Sequence, residues 1–394
     1  MVDEAVLAAA AQAVDPDEVL SFARALIAAK SENPGGTEDE AAGVASEILT
    51  GLGASPEIVR SDAGRPSVVA TIGGGAPSLA WNGHLDVVPA GSLDTWTHDP
   101  WAGEIGDDGR LVGRGAADMK GPIAAALAAA SALRRAGTPI NGSIVFHLAA
   151  DEELAGVHGT KVLWERGFLT QDAAIVGEPS ELQVGLAERG GAWFTATAYG
   201  KAAHGSQPHR GVNAITSMAR FLLRLPEVLP DREHPLVGRP TVNAALISGG
   251  SAPNVVPDRC EVDIDRRIVP GETDPDEVRA PFLELVRSLR AEHPEVEIEV
   301  SLREWTEAAE VPADTDIVRL AVDAVEAATG ARPELVGFTG ITDARFYINE
   351  AHIPTVICGP GSLTVAHTAD ESVAVDELVA GARSYARMFA AFLS

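Results

Sequence analysis

Residues Ser143–Gly156 read SIVFHLAADEELAG. The run from Ile144 to Ala150 has the length of a buried strand, and it ends abruptly in three carboxylates, Asp151, Glu152 and Glu153. Adjacent acids at the end of a buried strand repel one another and are costly to desolvate. A cation can pair with some of them, and a reaction can use another. Upstream, short β-like runs at Ser67–Ile72 and Leu79–Trp81 precede the Ala-rich helical stretch Met119–Ala136, with Pro122 in its first turn and Gly137 as its cap. Downstream, a helix is expected over Gly156–Arg166 and a strand over Ala173–Val176. Helical periodicity also marks Asp17–Lys30, and Thr37 with Glu40 has the spacing of a capping box for a helix that should end at Gly53. This alternation predicts an α/β domain, a sheet flanked by helices.

The pattern changes after Pro179. Leu182–Glu188 and Ala192–Tyr199 read as paired strands around Gly190 and Gly191, followed by a helix at Val212–Leu225. Strands at Thr241–Ile247 and Arg259–Ile268 and a helix at Asp274–Arg290 complete a compact α+β unit. Helix–strand alternation resumes at Asp314. The expected organisation is therefore one α/β domain, residues 1–183 and 297–394, interrupted by an inserted α+β domain at 184–296. A chain of 394 residues is long enough for both.

Composition narrows the function. Lys and Arg number 30 against 57 Asp and Glu, a formal charge of −27 spread along the chain. That field repels nucleic acid and anionic membranes, so neither is an expected partner, and an anionic substrate would need a local basic pocket. No apolar run approaches the ~20 residues that span a bilayer. The N-terminal segment carries acids where a signal peptide needs Lys or Arg, so the expected location is the cytoplasm. The two cysteines, Cys260 and Cys358, each sit in a strand-like apolar stretch and read as buried core residues.

Four other places join the three acids as candidates for chemistry. His84 and Asp86 lie just beyond a strand, two apart and so facing the same way, an arrangement in which one side chain binds a metal and the other fixes its tautomer. Asp118 follows the small-residue turn Gly113–Ala117 and precedes a helix, where an N-cap is the ordinary role for Asp. Glu178 follows an apolar strand, and His367 sits in a loop between a strand at Thr355–Cys358 and the final helix. Strand ends are where α/β sheets form clefts. Nitrogen and oxygen ligands without thiolates suit Zn²⁺, Co²⁺ or Mn²⁺. Their number exceeds the needs of one catalytic zinc, so two divalent ions with a bridging carboxylate are expected. One of the adjacent glutamates could then be neutralised by a cation while the other takes a proton from water.

The motifs GHLDVVP (83–89), GRGAADMKG (113–121), ADEE (150–153), GEPSEL (177–182), HGSQPHRGVNAI (204–215) and AHTADE (366–371) resemble, in the same order, those of the dinuclear-zinc amidohydrolase and peptidase family. That family includes acetylornithine deacetylase, succinyl-diaminopimelate desuccinylase, aminoacylase and carboxypeptidase G. The resemblance implies a zinc-peptidase-like catalytic domain interrupted by a ferredoxin-like lid and dimerisation domain. It implies that His84 and Glu178 hold one metal, Glu153 and His367 the other, that Asp118 bridges them, and that the Asp118–Met119 peptide is cis. Asp86 would orient His84, and Glu152 would be the general base. His204 would reach the substrate carbonyl across a homodimer, and Asn254 and Arg267 would grip a substrate carboxylate. Arg266, alternating to the opposite face from Arg267, reads as a solvated strand residue.

The loop from Gly340 through Thr342 to Asp343 resembles the one lining the substrate pocket, although its FTGIT wording departs from the glycine- and serine-rich desuccinylase form. The implied activity is hydrolysis of the amide of an N-acyl amino acid, with a dipeptidase or carboxypeptidase as the alternative. A non-catalytic binding protein on the same fold would be favoured by a missing ligand or base, and none is missing.

Overall fold

The computed structural model describes residues 3–35 and 38–393. It divides into two compact units. The first runs to Leu186 and takes up the chain again over Glu310–Phe338 and from Thr342 onward; the second is Ala187–Ala309 with Thr339–Ile341.

The first unit is built on a mixed sheet of nine strands among the described residues. Its centre is four parallel strands in the order Ser143–Ala149, Ser78–His84, Ala173–Val176 and Thr355–Ile357. Antiparallel strands extend it on both sides: Pro66–Gly73 and Glu57–Arg60 on one, Val184–Glu188 on the other. The central strands are almost wholly buried, as a parallel sheet covered on both faces requires. On one face Trp81 meets Tyr385 edge-on at 5.7 Å and Phe146 meets Phe389 at 6.2 Å, which seats the helix Val375–Phe392. On the other, Ala80, Val145 and Ala174 pack with Leu163, Phe346 and Tyr347. The helix Lys120–Ala136 is buried from Lys120 to Leu133 and ends at Gly137 in the left-handed conformation, as its sequence predicts.

The second unit has the order strand Gly190–Tyr199, helix Ala214–Arg224, strands Thr241–Gly249 and Arg259–Ile268, helix Pro275–Glu292, strand Glu297–Thr306. The four strands form one antiparallel sheet with the first strand between the third and the fourth, the ferredoxin-like arrangement. Two expectations need correcting. Val184–Glu188 does not pair with the strand after it but belongs to the large sheet. Glu297–Thr306, assigned above to the catalytic domain, pairs with Gly190–Tyr199 and closes the smaller sheet. Its inward residues, Ile298 and Val300, share that unit's core with Phe194 and Phe282.

The capping box expected from Thr37 lies outside the described residues, while Glu38 precedes the helix Asp39–Gly51 without a side-chain cap and is spent on Arg65. Among the described residues no helix is long and apolar enough to cross a membrane.

Candidate active site

His84 ends its parallel strand, Asp151–Glu153 follow the next, Glu178 lies just past a third, and His367 sits in the loop after the fourth. All four positions are at the carboxyl ends of the central strands, where open α/β sheets form their ligand crevice. Gly177 lets the third strand end so close to its neighbour: a Cβ there would lie 2.3 Å from the Trp81 ring.

Asp118 is at the centre. Its Oδ1 lies 2.9 Å from His84 Nε2, and its Oδ2 lies 3.3 Å from His367 Nε2. His367 Nε2 is also 3.0 Å from Glu153 Oε2, and His84 Nε2 is 3.8 Å from Glu178 Oε1 and 3.9 Å from Glu152 Oε2. Two groups of three thus form around the shared Asp118: His84, Asp118 and Glu178; Asp118, Glu153 and His367. Within each, the candidate ligand atoms all lie within 4.8 Å of one another. Asp118 is not an N-cap; the helix begins at Lys120 after Met119, without a side-chain cap, and the Asp118–Met119 peptide is cis.

Electrostatics mark the cluster as a place for cations. Burial raises the Glu152 and Glu178 carboxyls well above their ordinary range, with repulsion from Glu178 adding to it at Glu152 and repulsion from Asp118 adding to it at Glu178. Hydrogen bonds to Asp118 and Glu153 push His367 up to about 10. Glu153 Oε1 and Glu178 Oε1 are buried without a hydrogen-bond partner, which is costly for a carboxylate unless a cation covers it. The donors are hard oxygens and imidazoles, the set that suits zinc, cobalt or manganese.

The three adjacent acids have different fates. Asp151 faces away from the cluster. Its Oδ1 meets Arg65 Nη1 at 3.0 Å and accepts from Asn33 Nδ2 at 3.3 Å, and its Oδ2 accepts the His158 backbone N–H at 2.9 Å. Arg65 is in turn paired with buried Glu38. Glu152 and Glu153 are held through their backbones: Asp86 Oδ1 accepts the N–H of Glu152 at 3.1 Å, and Oδ2 that of Glu153 at 3.2 Å. This changes the role read for Asp86. Its backbone carbonyl, 2.8 Å away, is what His84 Nδ1 bonds to, leaving Nε2 for the cluster. The Asp86 carboxylate is 3.6 Å from that nitrogen.

The remaining candidates divide between the units. Thr342 is fully buried, and its hydroxyl accepts the Ala344 N–H at 3.0 Å, so it shapes a turn. Gly340 lies on Thr339–Ile341, in the second unit, with His204, Asn254 and Arg267. Within that unit His204 and Asn254 are neighbours, since Gly205 N–H donates to Asn254 O at 2.7 Å and His204 bridges Val255. Arg267 lies eight residues along the strand from Arg259, at the opposite end of the sheet from that loop, roughly 26 Å away. It bonds Asp265 Oδ2 at 3.0 Å. Arg266 is not solvated; it points to the buried face, paired with Glu272 at 2.6 Å.

Residues 80–391 match the model of peptidase family M20/M25/M40. The chain belongs to that family. It is 34% identical over 392 residues to the succinyl-diaminopimelate desuccinylase of Methylorubrum populi, covering 95% of this chain and 98% of that protein. It is 35% identical over 356 residues to the acetylornithine deacetylase of Myxococcus xanthus, covering 87% and 88%. A family M20 metallo-carboxypeptidase from Sulfolobus solfataricus has the same fold, with a TM-score of 0.80 at 18% identity over 95% of this chain and 99% of that one. This M20 protein is accordingly a hydrolase of amide bonds.

Proposed function

We propose that this enzyme removes the acyl group from an N-acyl amino acid, using two divalent metal ions, in this reading Zn²⁺, held by His84, Asp118, Glu153, Glu178 and His367. The observation that carries the reading is the Asp118 carboxylate spanning His84 and His367, with Glu152 beside it. Buried Glu153 and Glu178 oxygens without partners fit such ions. When bound, the ions polarise the scissile carbonyl and make water acidic enough to attack near neutral pH. Glu152 accepts the proton of the attacking water and delivers it to the leaving amine. His204 donates a hydrogen bond to the oxyanion as the carbonyl becomes tetrahedral. Relatives named desuccinylase and deacetylase, similar over nearly the whole chain, favour an N-acyl amino acid over a peptide.

Arg267 supplies the substrate's α-carboxylate with a guanidinium fork, needed in a chain of net charge −27. Arg267→Ala should raise KM on an N-acyl amino acid by about 10-fold or more, the loss of one charge-assisted bond, with kcat little changed. A panel of N-acetyl and N-succinyl amino acids, their C-terminal amides and dipeptides tests the substrate class. Turnover should be confined to the free acids bearing an acyl amide; equal rates on the C-terminal amides, or a preference for dipeptides, would overturn it.

The reading includes a homodimer formed through the second unit. The edge strand Thr241–Gly249 is exposed along most of its length, with Leu246 at 68% and Ile247 at 62%. An apolar open edge of this kind is a template for pairing with a second copy. The separation of Arg267 from His204 and Asn254 along the sheet fits the same reading, in which the two sets meeting one substrate come from different chains. The dimer is testable by complementation. After subunit exchange between inactive His204→Ala and Glu152→Ala variants, a mixed dimer has one site with its own Glu152 and the partner's His204. About a quarter of wild-type activity should return in an equal mixture. Exchange confirmed with no recovery would place His204 outside the partner's site. Two unpaired, buried cysteines suit a reducing compartment, the cytoplasm.

A further inference from the structure

Glu371 closes the AHTADE motif, four residues past His367, and is completely buried. Its Oε1 accepts three backbone N–H groups, from Gly115 at 3.1 Å, Ala117 at 3.0 Å and Asp118 at 2.9 Å. Its Oε2 accepts from Arg114 Nη1 at 2.5 Å. Its own carbonyl accepts the Gly113 N–H at 2.9 Å. Every residue from Gly113 to Asp118 except Ala116 thus donates to Glu371, and Ala116 N–H bonds Gly113 O at 3.0 Å within the turn.

The two segments are brought side by side by a small sheet. Ser372–Ala374 pairs antiparallel with Arg110–Val112, with Ser372 opposite Val112. Arg114 is itself locked: it is 2% exposed and lies over the Trp96 ring at 5.2 Å. The helix that follows packs closely on this turn, since a Cβ on Gly121 would lie 2.1 Å from Ala116 O. One carboxylate therefore ties the turn that delivers Asp118 to the loop that delivers His367.

We propose that Glu371 is a positioning residue for the bridging Asp118: it sets the separation of Asp118 from His367, and hence the geometry of the ion held between them, without touching metal or substrate. The inference rests on the metal reading given above, and predicts a selective weakening of one ion. A glutamine at 371 keeps the shape but replaces one acceptor oxygen with a donor, so it cannot serve three N–H groups and Arg114 together. An aspartate keeps the charge but shortens the reach by a methylene.

The test titrates metal-free wild type, Glu371→Gln and Glu371→Asp with Co²⁺, reading the visible absorption of the bound ion alongside thermal melting and steady-state kinetics. Phe282→Leu, a core change in the second unit, serves as a control for lost stability alone. In both Glu371 variants one of the two cobalt affinities should fall about 10- to 100-fold, the usual cost of removing a residue that orients a metal ligand, and the other should change less. The spectrum at saturation should change, and kcat should fall with KM nearly constant. Phe282→Leu should lower the melting temperature and leave the cobalt affinities unchanged. Wild-type affinities and spectra in both Glu371 variants would overturn the inference, whatever their melting temperatures. A wild-type chain that binds no cobalt would instead sink the metal reading itself.

Discussion

Glu152→Gln should leave both metal ions in place and lower kcat by about 10²- to 10⁴-fold, the range expected when a general base is removed. Its neighbour should behave differently. Glu153→Gln should weaken the ion shared with His367, because Glu153 Oε2 lies 3.0 Å from His367 Nε2 and its other oxygen has no protein partner. Glu152 makes no comparable approach to an imidazole; it lies 3.9 Å from His84 Nε2. The backbone separates the two roles, since the Asp86 carboxylate holds consecutive N–H groups and lets the two side chains diverge. Metal analysis and kcat measured on the same preparations check this. Loss of a metal ion in Glu152→Gln, with full occupancy and low kcat in Glu153→Gln, would exchange the two assignments.

The parts of this site that could be read from the sequence are those written locally. A buried strand ending in acids, a His-x-Asp pair after another strand and a small-residue turn before Asp118 each announce a strand end, and the parallel sheet brings the strand ends together. The parts that could not be read depend on partners distant in the chain. Asp151 looks like a third catalytic acid until Arg65 and Asn33 are seen to occupy it. Glu371 looks like one more charge in an acidic chain until three N–H groups from residues 115–118 converge on it.

The same limit applies in the second unit. Strand alternation correctly separates the faces of Arg266 and Arg267, but not which face is buried. Arg266 lies inward with Val262 and Ile264 because Glu272, beyond the strand end, satisfies it there. Glu297–Thr306 alternates apolar and polar residues, yet its partner strand begins about a hundred residues earlier, so only the fold shows which sheet it completes.

The central claim is that amide hydrolysis here depends on ions held by the cluster around Asp118. The most direct measurement removes metal with a chelator, confirms its absence by elemental analysis, and follows hydrolysis of an N-acyl amino acid as Zn²⁺ or Co²⁺ is added back stepwise. Without an ion to offset them, Glu152, Glu153, Glu178 and Asp118 crowd one buried space, and nothing polarises the carbonyl or acidifies the attacking water. Activity should fall to background in the metal-free chain and return as the ions bind, reaching its plateau near two per chain. Full turnover by a chain shown to be free of metal would contradict the account.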